Sequence, residues 1–461
     1  MLIRFNIKNF LSFSTRENGK SEEFSMIAGK VQKKKEHIYD DGKMKLLKFA
    51  AVYGANASGK SNLVKAIDFM KRTVIKGLPK GHTEKYCRIN PENKLRESYF
   101  EFEIKLGKKY YSYGFEIILY ESKFVSEWLV ELKANGQDKV IFSRDIPRGK
   151  YKFGTFLRGK ELKNKMEVYM EDIKDDSSVL FLSIINTNKK NLYEEYKSVS
   201  ILKEIYIWIK DNLDINYPDR PISDYTYMAN AENVREVCNI ISAFGTGITD
   251  FKMVEIPIEK LISRLPKSIR DKLTYDLETK TSEMKKSGDM ENVSLIMRSN
   301  RDFFILNIDN KQDVTCQTIQ FSHGENRAFF TLDEESDGTI RLLDLLEILL
   351  SGENKTYVID ELDRCLHPSL TYKFIQTFLQ KVSKSNIQLI VTTHESRLMD
   401  FDLLRRDEIW FVNKKSSGES DIYSLEEYNE RFDKKIDRAY LEGRYGGVPI
   451  FSTIFPIEKE E

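Results

Sequence analysis

Gly54-Ala55-Asn56-Ala57-Ser58-Gly59-Lys60-Ser61 fits G-x-x-x-x-G-K-[ST] at every fixed position. A run of this kind can bind phosphate. Its glycines let backbone N–H groups curl around phosphate oxygens, and the positive end of a following helix dipole adds to the attraction. In such a loop Lys60 reaches the β- and γ-phosphates and the Ser61 hydroxyl ligates Mg²⁺. Asn56, Ala57, Ser58 and Gly59, with Asn62 just beyond, complete the expected ATP-binding set. The bland alternative is a chance Gly/Ser turn.

A second constellation lies far along the chain. Tyr357-Val358-Ile359 is apolar and ends in Asp360-Glu361. Two carboxylates at a strand tip suit phosphoanhydride hydrolysis, with Asp360 holding Mg²⁺ and Glu361 polarising the attacking water. A solvated strand end is the alternative.

These residues need a scaffold. Leu46 to Tyr53 (LLKFAAVY) is a nearly continuous apolar run stopping at Gly54, as a buried central strand should. Leu63, Ile67, Met70 and Val74 follow at helical spacing, so the order is strand, Gly-rich turn, helix. Ile3, Phe5 and Ile7 alternate as a half-buried strand, and residues 99–143 read as further strands. From about 150 to 310 the chain reads as mostly helical and polar, with strand-like pieces such as Phe303 to Ile308. Tyr357–Ile359, a helix with Leu370, Phe374, Phe378 and Val382 on one face, Leu389–Val391 and Ile409–Val412 restore an α/β alternation. That pattern predicts a largely parallel sheet with its chemistry at the strands' C-terminal ends. The expected domains are an N-terminal lobe over 1–130, a mainly helical insert or lid over 131–310 and a C-terminal lobe over 311–461.

Composition sets the outer bounds. An apolar fraction of 41 %, a charged fraction of 31 % and a net charge of +1 describe a globular chain without a uniformly basic coat. Cys87, Cys238, Cys316 and Cys365 form no CxxC pair, so neither a zinc knuckle nor a disulfide framework is expected. The opening MLIRFNIKNF lacks the apolar core of a signal peptide, and no stretch of roughly 18 uninterrupted apolar residues occurs. A cytoplasmic protein with no membrane role is expected.

At this point the chain resembles ABC-type ATPases. Leu389-Ile-Val-Thr-Thr-His394 is similar to that family's switch-histidine strand, which implies that His394 contacts the γ-phosphate and attacking water. Asp363 matches the D-loop position, and His367-Pro368 resembles a Leu-His-Pro step that starts the next helix. Glu335-Ser336-Asp337-Gly338-Thr339, followed by Arg341, resembles the Leu-Ser-Gly-Gly-Gln signature, with Asp and Thr replacing the commoner Gly and Gln. It precedes an amphipathic helix bearing Ile340, Leu343, Leu346 and Leu350. The resemblance implies that Ser336 and Gly338 bind the γ-phosphate held by the opposite chain, so hydrolysis requires a head-to-tail homodimer or a higher homo-oligomer. An ordinary Ser N-cap is the alternative. No Gln stands between Ser61 and Gln137, so the family's Q-loop has no counterpart there.

Lys60 and Asp360 are 300 residues apart, which disfavours the transporter branch. KNFLSF resembles the openings of RecF and SMC-type ATPases, and without a sustained heptad seam a short RecF-like lid fits better than a coiled coil. GANASGKSN, EESDGT, VIDELDRCLHPSL and AYLEGRYGGVPIF together are similar to the prokaryotic ATP-binding defence proteins related to AbiLi and to the AriA subunit of PARIS anti-phage systems. The similarity spans about 1–130 and 311–450. It implies an ATPase switch or scaffold, with ATP and Mg²⁺ as cofactors, that senses a phage-encoded trigger and controls a separate effector, often a nuclease. The chain past His394 is too short for the Toprim nuclease of OLD-type relatives.

Two other functions compete. One is a RecF-like DNA-binding ATPase of recombination and repair, motivated by Lys33-Lys34-Lys35, Lys189-Lys190 and Lys285-Lys286, although such short runs also form solvated faces. The other is a degenerate nucleotide-binding scaffold, against which Glu361 and His394 both speak.

Overall fold

The computed structural model of the chain describes every residue except 17–18, 134–135, 188, 224, 230–233, 265–266, 268–269, 271–292, 300, 309–313, 326–327, 351–353, 383–384, 429–435 and 449–461. Packing divides the chain into two compact units. One comprises Met1–Ile215, Gly352–Leu362 and the chain from Ile375 onward; the other comprises Asn216–Ser351 and Asp363–Phe374. These bounds follow packing rather than motifs and cut the chain elsewhere than at 130 and 310.

The first unit begins with β1 (Leu2–Lys8), β2 (Glu22–Ser25), β3 (Ile38–Asp40), β4 (Lys45–Leu47) and β5 (Phe49–Tyr53). It continues with β6 (Ser98–Leu106), β7 (Lys109–Ile118), β8 (Lys123–Leu132), β9 (Lys139–Asp145), β10 (Lys150–Phe153) and β11 (Leu213–Asn216). The second unit holds β12 (Ile248–Ile256), β13 (Val293–Arg298), β14 (Phe303–Ile308), β15 (Val314–His323) and β16 (Phe329–Thr331). Back in the first unit lie β17 (Thr356–Ile359), β18 (Gln388–Thr392), β19 (Ile409–Lys414) and β20 (Ser420–Ser424).

The first unit carries a seven-stranded antiparallel sheet, β10-β9-β8-β7-β6-β1-β2, and a six-stranded sheet, β11-β17-β18-β5-β19-β20. In the latter, β17, β18, β5 and β19 run parallel to their neighbours and β20 closes the edge antiparallel. The expected α/β architecture, a mixed-sheet lobe plus a parallel core behind the P-loop, is therefore what the strands form. Every residue of β5, β17 and β18 is buried, which is why these strands read as unbroken apolar runs. In β6 the alternation is cleaner: Phe100, Phe102 and Ile104 are fully buried and partly exposed Tyr99, Glu101 and Glu103 face the other way.

One expected element is divided. LLKFAAVY is not a single strand, because β4 ends at Leu47 and β5 starts at Phe49. The residue between them, Lys48, is buried and donates its ammonium to the Val382 carbonyl at 2.6 Å. Its backbone serves both ladders, the N–H donating to the His37 carbonyl and the carbonyl accepting the Leu389 N–H, each at 2.9 Å.

Gln388, the first residue of β18, joins the two sheets. Fully buried, it accepts the Leu2 N–H at 2.6 Å and donates to the carbonyls of Leu2 and Leu47 at 3.0 Å each. The helix Lys60–Lys76 buries the expected Leu63, Ile67, Met70 and Val74, and its Phe69 meets Phe10 and Phe100 at ring distances of 5.1 and 5.0 Å.

Residues 131–310 contain helices such as Lys160–Glu171, Ser200–Ile207 and Val234–Ser242, yet they also supply β9 and β10 to the large sheet. They contribute β12, β13 and β14 to an antiparallel sheet of order β12-β15-β14-β13, with β16 on β15. Sequence reasoning found only Phe303–Ile308 of this sheet. β12 mixes charged and apolar residues without a regular two-residue period, as Ile248-Thr-Asp-Phe-Lys-Met-Val-Glu-Ile shows.

A buried ion pair pins residues 174–182 to the large sheet. Glu127 of β8 accepts the backbone N–H groups of Phe181 and Leu182 at 2.6 and 3.0 Å and the Tyr113 hydroxyl at 3.1 Å. Arg144 of β9 lies 3.5 Å from Glu127 and donates to the Val179 and Asp176 carbonyls. Both side chains are wholly buried; burial pushes the carboxyl up and the guanidinium down, and their mutual attraction opposes both shifts. Removing one partner strands the other charge. Arg144→Ala is therefore expected to cost roughly 3–5 kcal/mol in denaturant unfolding.

Candidate active site

The order of the six-stranded sheet assembles the expected catalytic set. β18 lies between β5 and β17, and all three run parallel, so Gly54, Asp360 and His394 emerge from three adjacent strands at one edge.

The P-loop is shaped by left-handed backbone at Ala57 (φ 63°) and Gly59 (φ 115°), and the Ser58 N–H closes a turn on the Ala55 carbonyl at 3.1 Å. Two glycines are required by contact. A Cβ on Gly54 would stand 2.4 Å from both Ser58 Oγ and the Val412 carbonyl oxygen. One on Gly59 would stand 2.6 Å from Ser420 Oγ and 2.8 Å from Ser12 Oγ.

Those two serines buttress the loop from behind. Ser420 Oγ donates to the Ser58 carbonyl at 2.5 Å and lies 2.8 Å from Ser12 Oγ, which also accepts from Asn62 Nδ2 at 2.8 Å. Asn62 is thus turned toward the support of the loop. Asn56 and Ala57 form its exposed tip, and Ser58 Oγ is buried without a hydrogen-bond partner among the described residues. Lys60 is 6 % exposed, and its ammonium is held by the carbonyls of Gly54 (2.8 Å) and Ala55 (3.1 Å).

Asp360 is buried, and its Oδ1 accepts two hydroxyls: Ser61 Oγ at 3.1 Å and Thr392 Oγ1 at 2.6 Å. Thr392 Oγ1 also accepts the Glu361 N–H at 2.8 Å. Glu361 itself has φ 51°, a left-handed conformation uncommon for a residue with a side chain. His394 is exposed just past the tip of β18, following buried Thr393. Thr392 belongs to the motif read as a histidine strand, but nothing in its spacing announces that it supports both carboxylate residues.

This geometry fits Mg²⁺–nucleotide. Ser61 and Asp360 offer two hard oxygen donors side by side, and no group of three or more His, Cys, Asp or Glu among the described residues could hold a metal alone. Mg²⁺ is commonly held by one or two protein oxygens together with substrate phosphates. The loop backbone and Lys60 would supply the phosphate partners.

Ser336, Gly338 and Asp363 belong to the second unit. Ser336 caps the helix Asp337–Leu350, accepting the Thr339 N–H at 3.1 Å. A Cβ on Gly338 would stand 2.9 Å from the Cys365 carbonyl oxygen, so the signature turn packs directly on the turn after Asp363. Arg341 is buried with Asp363, Arg364 and Asp344 in its electrostatic surroundings, and burial lowers its pKa. The helix is not the amphipathic element expected: Leu342, Leu345 and Leu349 are buried along with Ile340, Leu343 and Leu346. Apolar on nearly every side, it is covered on nearly every side.

The family described as "AAA domain, putative AbiEii toxin, Type IV TA system" matches residues 49–400, from the first residue of β5 to just past His394. The chain belongs to this family. It carries a nucleotide-binding ATPase fold of that type. No curated protein matches it. Among solved structures, an SMC head bound to the C-terminal winged-helix domain of ScpA is similar at 12 % identity and a TM-score of 0.42, covering 92 % of this chain and 97 % of that one. The SMC head domain from Thermotoga maritima gives 14 % identity and a TM-score of 0.35, covering 92 % and 98 %. Among the described residues no helix of this AAA-domain chain is long and apolar enough to cross a membrane.

Thr392→Val keeps the shape of the side chain but removes the bonds to Asp360 and Glu361. It is expected to destabilise by about 1–3 kcal/mol and to lower turnover more than nucleotide affinity, with Thr392→Ser restoring both. Thermal melting and steady-state kinetics check this together.

Proposed function

We propose that this chain is an Mg²⁺-dependent, ATP-hydrolysing switch of the ABC type that works as a head-to-tail pair. We place it in the anti-phage defence group related to AbiLi and to the AriA subunit of PARIS, where it senses a phage trigger and controls a separate toxin or nuclease. The observation carrying the hydrolytic half is the cluster at one strand edge: Lys60 in the P-loop, Ser61 on Asp360, and Glu361 held through Thr392.

In this reading Lys60 leaves the Gly54 and Ala55 carbonyls for the β- and γ-phosphates. Ser61 and Asp360 would hold Mg²⁺, which would supply neutralisation of charge on the phosphate oxygens. Glu361 accepts a hydrogen bond from the attacking water and orients it, and His394 at the neighbouring strand tip contacts the γ-phosphate. Ser336 and Gly338 of a second copy face that phosphate with the N-terminus of their helix. The family's own description, a toxin of a type IV toxin–antitoxin system, supports a defence setting.

The DNA-binding alternative draws less support. Lys34 donates to the Asp402 carbonyl at 2.6 Å, Lys189 lies 4.4 Å from the Tyr169 ring centre, and Lys285-Lys286 falls outside the described residues.

Glu361→Gln is expected to bind ATP as the wild type does, to lose roughly 10²-fold or more in turnover and to accumulate as a nucleotide-bound dimer. Hydrolysis at the wild-type rate would remove Glu361 from its role. Lys60→Ala should lose tight nucleotide binding. The composite site has its own check: Lys60→Ala and Ser336→Arg chains, each inactive alone, should regain activity when mixed, because one of the two sites in a mixed pair is intact. No gain on mixing sinks the head-to-tail arrangement. Native assemblies that never contain a second protein, before or during phage challenge, sink the effector half.

A further inference from the structure

The last described turn of the chain occupies a place that the catalytic set does not explain. The helix Ile436–Leu441 leads into a turn ending at Gly446 and Gly447, whose φ angles are 67° and 68°. All of it lies outside residues 49–400. Three tyrosines hold the turn: Tyr440 donates to the Gly447 carbonyl at 2.9 Å, and Tyr423 and Tyr428 donate to the Tyr445 carbonyl at 2.6 and 3.4 Å. The Gly447 N–H donates to Asn413 Oδ1 at 3.1 Å. Phe411 of β19 stacks with Tyr440 and Tyr445 at ring distances of 5.7 and 5.9 Å, and Tyr53 at the end of β5 meets Tyr440 edge-on at 5.9 Å.

This cluster bears on one atom group. A Cβ on Gly447 would stand 3.3 Å from Gly54 Cα, and the Tyr440 hydroxyl holds the Gly447 carbonyl at 2.9 Å. The direction in which a Gly54 Cβ would project is closed by Ser58 Oγ and the Val412 carbonyl. The first residue of the P-loop therefore sits in a slot, and its carbonyl is where the Lys60 ammonium rests.

We propose that Tyr440 and Gly447 are positioning residues for the nucleotide site, clamping the Gly54 peptide and so setting how readily Lys60 leaves it for phosphate. This inference rests on reading the P-loop as a nucleotide site. Two consequences separate it from simple core packing. Loosening the clamp changes nucleotide affinity, and by reciprocity bound nucleotide changes the stability of the turn.

The test uses the full-length chain with Mg²⁺ and either ADP or a non-hydrolysable ATP analogue, measured by calorimetry. Tyr440→Phe keeps the ring stack and removes the hydroxyl; Gly447→Ala pushes a methyl toward Gly54 at a left-handed position. Both are expected to raise Kd roughly tenfold, within the range typical of coupled sites. In the wild type, amide exchange over 440–447 is expected to change on adding nucleotide. An unchanged Kd for Tyr440→Phe overturns the proposal whatever the exchange shows, and so does exchange over 440–447 that is indifferent to nucleotide. If Gly447→Ala does not fold, Tyr440→Phe and the exchange measurement decide. A wild-type chain that binds no nucleotide overturns the site reading itself, before any substitution is made.

Discussion

One oxygen atom holds the catalytic edge together. Asp360 Oδ1 receives a hydroxyl from the first turn of the P-loop helix and another from the tip of β18, and the second of these also receives the Glu361 N–H. A buried carboxylate needs such partners, because leaving water without them costs several kcal/mol. Meeting that demand draws Ser61, Thr392 and Glu361 into fixed relation. The arrangement is pre-organised: the Ser61 and Asp360 oxygens that satisfy each other here would be the donors to a divalent ion on a bound nucleotide.

Behind this edge, the P-loop is built against parts of the chain remote in sequence. Ser12 from the N-terminal segment and Ser420 from β20 meet under Gly59. Gly447 meets Gly54 at the other end of the loop. Gly59 is therefore needed twice, once for its left-handed backbone and once because Ser12 and Ser420 occupy the space of a side chain, whereas Gly54 is needed for space alone.

Legibility followed the range of the interactions involved. The P-loop could be read because its demands are local: φ angles at Gly59, a lysine and a serine at the start of a helix, and an apolar strand before them. Asp360 and Glu361 could be read for the same reason, as polar residues at the end of a four-residue buried strand. The break at Lys48 could not, because its backbone passes from the His37 carbonyl to the Leu389 N–H, partners set by pairing between separate segments. The burial of the helix Asp337–Leu350 over most of residues 340–349 was also obscured. A period-seeking reading picks one stripe from a helix that is apolar on nearly every side.

By itself, then, the sequence determined the phosphate-binding turn, the carboxylate strand tip and the alternating α/β order that puts both at strand ends. Backbone geometry and hydrophobic period act over a few residues and leave their marks in composition. Tertiary structure alone decided that β18 separates β5 from β17, that Thr392 joins Ser61 to Glu361 through Asp360, and that Ser12, Ser420 and Gly447 converge on the P-loop. Those outcomes depend on which distant segments pair and pack, and a serine or glycine that meets such a partner looks in sequence like any other.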